Sequence, residues 1–230
     1  MGAADLDDDV RRVDPDRWHA SRFIADPVAR ADVVALYAFD HQLARAARVA
    51  SNPLIAEIRL VWWREAVDEI WAGRPARAHP IVQALAAAHG RHRLRREALE
   101  AMIEARIDVL ERPTLDASRR LAWADATGGS AAILAASIVD STAPAAAAAA
   151  GGRVWGLVML ARQGLADRAL LVDQLRTELA WARRAARRLS PQAFPAVVQA
   201  TLARGMLRSI EESDLARRLR MFWAVATGGL

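Results

Sequence analysis

The 230-residue chain is 53% hydrophobic and carries no cysteine, so one sizeable core is available while disulfides and thiolate metal sites are excluded. Its net charge of +5 favours anionic partners, and all 32 of its basic residues are arginine. The arginines are spread over nearly every predicted helix with acids nearby, which argues against nucleic acid, whose binders gather charge on one face. No charge-free apolar run of about 18 residues occurs, so no transmembrane segment is predicted.

Residues 1–13 hold Asp5, Asp7, Asp8 and Asp9 where a signal peptide would place basic and then apolar residues. A frayed, solvated acidic tail is expected there, with one domain over residues 14–230. Asp26-Pro27 supplies a cap and a proline at the first helical position, predicting a helix to about Val49. Asn52-Pro53 repeats the signal for a helix ending near Gly73. Within it Ile55, Ile58, Trp62, Ala66 and Ile70 draw an apolar stripe, with Trp63 and Arg64 on its flanks and Arg64 placed to pair with Asp68. Helices are predicted next over residues 80–89 and 95–111. The second carries Glu97, Glu100, Glu104, Asp108 and Glu111 interleaved with Arg93, Arg96, Arg106 and Arg112, the pattern of a salt-bridged solvent face.

A helix over residues 115–139 has Gly128-Gly129 in its middle. Two glycines cost about 1 kcal/mol each there, so a kink or a close helix approach must compensate. The alanine run 145–150 is expected to start a helix, and further helices are predicted over 153–163, 169–189, 195–208 and 213–226. No stretch shows the period-two alternation of a strand, so the expected fold class is an all-α single-domain bundle. His79, His89 and His92 have no metal-ligand spacing.

Asp14-Pro-Asp-Arg17, Arg22-Phe23, Pro27-x-x-Arg30, Leu36-Tyr37-Ala38-Phe39 and Arg59-Leu60-x-Trp62-Trp63-Arg64 occur in an order that resembles the first third of squalene and phytoene synthases. Residues 123–129 resemble that family's central kinked helix and residues 182–196 its C-terminal helices. The resemblance implies an isoprenoid-synthase-like bundle around a central apolar pocket, with prenyl transfer on farnesyl or geranylgeranyl diphosphate. It also implies two facing aspartate pairs that hold Mg2+ on the diphosphate. In this chain those positions fall on Ala44, Arg48, Gln163 and Asp167. Alanine binds no metal and arginine repels one. Phe39-Asp40-x-x-Leu43-Ala44-Arg45, followed by Pro53, resembles a divergent branch that includes the phytoene-synthase-like assembly factor of respiratory complex I and its bacterial relatives.

The expectation is therefore a pseudoenzyme without catalytic residues, metal or cofactor. Its role would be assembly or scaffolding for a membrane-complex subunit, or metal-free binding of a prenyl diphosphate or other isoprenoid lipid. The candidate substrate-binding residues are Arg30, Tyr37, Asp40, Arg45, Arg48 and Arg162, with Arg45 and Arg48 read either as an anion-binding pocket mouth or as solvated surface arginines. Asp40 beside His41 reads more simply as an acceptor from a neighbouring helix than as a relocated metal ligand or acid–base pair. The alternative is an active head-to-head prenyltransferase with an atypical Mg2+ site. The expected location is cytoplasmic, peripheral to the inner membrane.

Overall fold

A computed structural model describes residues 3–49, 52–208 and 212–230. Among the described residues every regular element is helical. The chain begins with α1 (Ala3–Val13), α2 (Pro15–Ser21) and α3 (Pro27–Val49). Helix α1 corrects the expectation of a solvated tail over residues 1–13, of which 1 and 2 lie outside the described residues. Leu6 and Val10 are buried one turn apart where α1 packs on α3. Asp7 accepts hydrogen bonds from the Trp18 indole (2.9 Å) and the Arg22 guanidinium (2.5 Å). The acidic residues belong to the polar side of a packed amphipathic helix, which Asp7 ties to α2.

Helices α4 (Pro53–Trp71), α5 (Pro80–His92) and α6 (Arg96–Glu111) follow. Asn52 caps α4 by accepting from Leu54 N at 2.9 Å, with Pro53 at the first position. The buried face of α4 is rotated from the expected one: Ala66 and Ile70 of the predicted stripe are buried, but with Ala56, Leu60, Trp63 and Val67, whereas Ile55 and Ile58 are exposed and Trp62 is half-buried. Both sets fit helical spacing, and packing of α4 on α3 and α6 selects one. Trp63 lies edge-on to Phe39 of α3 at 5.4 Å. Arg64 pairs with Glu104, and Asp68 with Arg96 at 2.6 Å, so both reach across to α6 and not along α4 as expected. The α6 acids form the anticipated salt-bridged face through Glu100, Glu104 and Asp108. Arg106 departs from it and is buried.

Helix α7 (Ala117–Ala124), a π-helical turn (Asp125–Gly129) and α8 (Ser130–Val139) run on as one stretch. Among the described residues this stretch is long and apolar enough to cross a membrane, but 67% of its most apolar window is buried inside the fold, as in a core helix. Helix α9 (Ala145–Arg162) begins in the alanine run and crosses the π turn. A Cβ on Gly128 would strike the Gly152 carbonyl oxygen and lie 2.7 Å from Gly156 N, and one on Gly152 would lie 2.6 Å from the Ala132 Cβ. The glycine pair thus admits the close helix approach that its cost demanded. Helix α9 is apolar nearly all round, and that is why it can occupy the centre.

After a 3-10 turn (Arg168–Leu171) come α10 (Val172–Ala186), two further 3-10 turns (Phe194–Ala196 and Val198–Leu202), α11 (Ala203–Leu207) and α12 (Asp214–Thr227). The helix expected over 195–208 is therefore mostly tight turns. There Gln199 Nε2 donates to the Ala196 carbonyl (3.0 Å) and Thr201 Oγ1 to the Val198 carbonyl (2.8 Å), so side chains satisfy buried groups that a regular ladder would have paired. One continuous hydrophobic cluster joins these elements, with Trp155, Tyr37, Phe39 and Leu36 among its largest fully buried side chains.

Candidate functional site

Spacing along α3 decides which of its side chains share a face. Tyr37, Asp40, His41, Ala44 and Arg48 recur at three and four residues. All but Tyr37 line a cavity of about 220 Å³. Helix α2 adds Asp16 and Arg17 with its cap Asp14, the last turn of α9 adds Met159 and Arg162 with Gln163 just beyond, and α12 adds Arg217.

Arg17 is the hub of the cavity floor. Its Nε donates to Asp14 at 2.5 Å, its Nη2 pairs with Asp40 at 2.7 Å, and its guanidinium lies 4.7 Å from the centre of the Tyr37 ring. Arg106 of α6 holds the other Asp40 oxygen at 2.5 Å and donates to the Met102 carbonyl at 2.6 Å. Burial works to raise the Asp40 carboxyl, but Arg106 and Arg17 together hold it below its usual range. Burial also pushes Arg106 down and Tyr37 up, whereas Asp14 and Asp40 outweigh burial at Arg17 and hold it up. Asp40 is thus the acceptor from a neighbouring helix that the plainer reading anticipated.

Asp16 anchors a second cluster, with Arg162 Nη1 at 2.7 Å and Arg217 Nη1 at 3.4 Å. The Arg162 guanidinium lies 4.9 Å from the centre of the buried Trp155 ring. Arg48 is exposed and forms no ion pair among the described residues. Burial lowers the pKa of His41, with Arg17 and Arg48 adding to the effect against Asp14 and Asp40.

Of the positions singled out from sequence, Asp40, Ala44, Arg48, Arg162 and Gln163 meet at this one cavity, with Tyr37 beneath Arg17. Asp167 does not join them: it is exposed and caps the following turn by accepting from Ala169 N at 2.9 Å. Arg45 is turned about 100° from Ala44 and lines other cavities with Gln42 and His79. Arg30 lies ten residues before Asp40, about 15 Å along α3, and lines none of these cavities. Asp14, Asp16, Arg17, Arg106 and Arg217 are the residues that sequence reasoning did not place in the site. For Arg106 a signal existed: it falls on the stripe of Leu99, Met102 and Ile103, where a charge requires a partner. Asp16 and Arg217 lie 201 residues apart and left none.

Residues 10–171 match a family model described as squalene/phytoene synthase. The chain belongs to the squalene/phytoene synthase family. A solved structure described as a dehydrosqualene synthase in complex with ligand is similar at a TM-score of 0.75, covering 98% of this chain and 95% of that one at 13% identity. That likeness establishes the shared fold. No curated protein matches the chain.

The Mg2+ that squalene/phytoene synthase resemblance implies does not fit these residues. Magnesium requires several oxygen ligands in near-octahedral array. The three carboxylates at the cavity are already bridged by guanidinium groups, Asp14 by Arg17, Asp40 by Arg17 and Arg106, and Asp16 by Arg162 and Arg217. No cluster of three or more acidic, histidine or cysteine side chains among the described residues is arranged to hold a metal. The donor set suits a small anion better than a cation.

Proposed function

We propose that this family member has lost metal-dependent prenyl transfer and acts as a non-catalytic assembly or scaffold protein. The cavity carries the proposal: Ala44, Arg48 and Gln163 line it, and arginines hold each carboxylate beside them. Breaking an allylic carbon–oxygen bond needs the departing diphosphate neutralised as charge develops, and this site lacks ligands for the ions that would do it. The buried rings of Tyr37 and Trp155 take up the space beneath Arg17 and Arg162. These features support a scaffold over a protein that sequesters a prenyl chain. A membrane-complex subunit as partner, and a cytoplasmic position beside the inner membrane, belong to the same proposal.

Incubation of the full chain with farnesyl or geranylgeranyl diphosphate, Mg2+ and a reductant is expected to give no squalene, phytoene or cyclopropyl intermediate. Product above an enzyme-free blank, abolished by a chelator, would instead establish the active prenyltransferase. A second reading, metal-free binding of an anionic headgroup, is favoured by the exposed Arg48 guanidinium, which forms no ion pair among the described residues. It expects inorganic diphosphate to bind in the presence of chelator and Arg48→Gln to weaken it; titration calorimetry without detectable heat or binding would eliminate it.

A further inference from the structure

Helix α12 turns its larger apolar side away from the protein. Leu215, Leu219, Phe222 and Trp223 share one face at 100° per residue, and each is between 56% and 68% exposed. The opposite face, with Arg217, Met221 and Ala224, packs on α2 and the Val198–Leu202 turn. A helix of a water-facing protein ordinarily buries such a stripe, and a contiguous exposed one marks an interaction surface.

Beside the stripe is a pocket of about 490 Å³, lined by Leu219 and Trp223 together with Arg204 and Arg220. Arg204 donates to the backbone oxygen of Leu230 at 2.5 Å, while its buried Nε has no partner. Arg183 reaches the same oxygen at 3.1 Å. Burial pushes the Arg204 pKa down, and the nearby Arg183, Arg220 and Arg208 push it further. Among the described residues the one carboxylate paired within this group is Glu212, on Arg220. Four guanidinium groups therefore gather beside an exposed leucine, phenylalanine and tryptophan face.

We propose that α12 and the adjoining arginine pocket form a docking surface for a bilayer rich in anionic phospholipid. The stripe enters the boundary between headgroups and acyl chains, where an aromatic ring such as Trp223 is favoured. Arg183, Arg204 and Arg208, which pair with no acidic side chain among the described residues, meet the lipid phosphates. A second copy of the chain fits less well, because a two-fold contact would bring the same positive cluster against itself. The proposal is independent of what the α3 cavity binds.

Flotation of the full chain with vesicles tests it. Binding to equimolar phosphatidylcholine–phosphatidylglycerol is expected to be at least about tenfold tighter than to phosphatidylcholine alone, and to weaken with salt. Phe222→Glu with Trp223→Glu is expected to reduce it by more than about tenfold, with an unchanged circular dichroism melt because both side chains are exposed. Arg204→Gln is expected to narrow the difference between the two lipid compositions. Should the double variant melt early, Leu215→Glu gives the same readout from a site outside the pocket. Equal binding to both vesicle types, absence of binding, or full binding by the folded glutamate variants would overturn the proposal. So would vesicle-free self-association, seen by light scattering, that those variants abolish.

Discussion

The crossing of α9 over the π turn and the charged cluster under the cavity hold neighbouring helices by opposite means. At the crossing Gly128 and Gly152 let two backbones touch, and no atom can be added. At the cluster Arg17 and Arg106 are buried with Asp14 and Asp40, so that losing Asp40 strands Arg106 and losing Arg17 strands Asp14. One contact is specified by shape and fails by addition. The other is specified by charge balance and fails by subtraction. The contrast also bears on function, because the carboxylates nearest the cavity are committed to holding the helices and are not available to a metal.

Addition at the crossing should give the largest effect. Gly152→Val is expected to abolish soluble folded protein, and Gly152→Ala to cost more than about 3 kcal/mol in chemical denaturation. Alanine's helix preference returns only about 1 kcal/mol, and the obstacle is a backbone carbonyl with nowhere to rotate. Gly90, in α5, has nothing within 4 Å of a built Cβ, so Gly90→Ala should stabilise by about 0.5–1 kcal/mol. A neutral Gly152→Ala would mean that the crossing is looser than its contacts indicate.

Subtraction at the cluster comes next. Asp40→Met strands Arg106 and should cost about 3–5 kcal/mol, whereas adding Arg106→Met, itself the fourth corner as a single variant, should recover most of the loss. A urea denaturation cycle on the four proteins measures the coupling; a single-variant loss below about 1 kcal/mol would mean that water reaches the pair. Between shape and charge stands Trp63, whose truncation to alanine should cost about 3–5 kcal/mol. Trp62→Ala should cost less than half of that, because Trp62 is only half-buried beneath Arg77. A larger loss at Trp62 than at Trp63 would restore the stripe expected from spacing alone.

The smallest effect is on pH. Burial lowers the pKa of both His41 and His79 from 6.5, so the unfolded chain takes up their protons first as pH falls. Their contribution is full above that value and is lost below it. Asp40 is held under its ordinary 3.8, so its contribution survives until the pH falls past that point. The urea midpoint should therefore drop modestly between about pH 7 and pH 5, and His41→Gln should shrink the drop. An unchanged drop in that variant would assign the effect to other groups.

Much was settled locally, by chemistry that needs no neighbour. Asp14, Asn52 and Ser213 cap their helices with their own side chains, prolines open several elements, and the mid-helix glycine pair announced a close approach. The order of motifs from Asp14 to Arg64 carried the family, and with it the placement of Ala44, Arg48 and Gln163 at one cavity. Tertiary structure alone decided the rest. Helical periodicity states that a face is apolar but not that anything covers it: α4 buries Trp63 in place of Trp62, and α12 leaves Leu219, Phe222 and Trp223 in water. Nor does spacing reveal a partner far along the chain, as Asp16 finds in Arg217. Hydrogen-bonded caps act over a few residues, whereas burial and ion pairing depend on which helices meet.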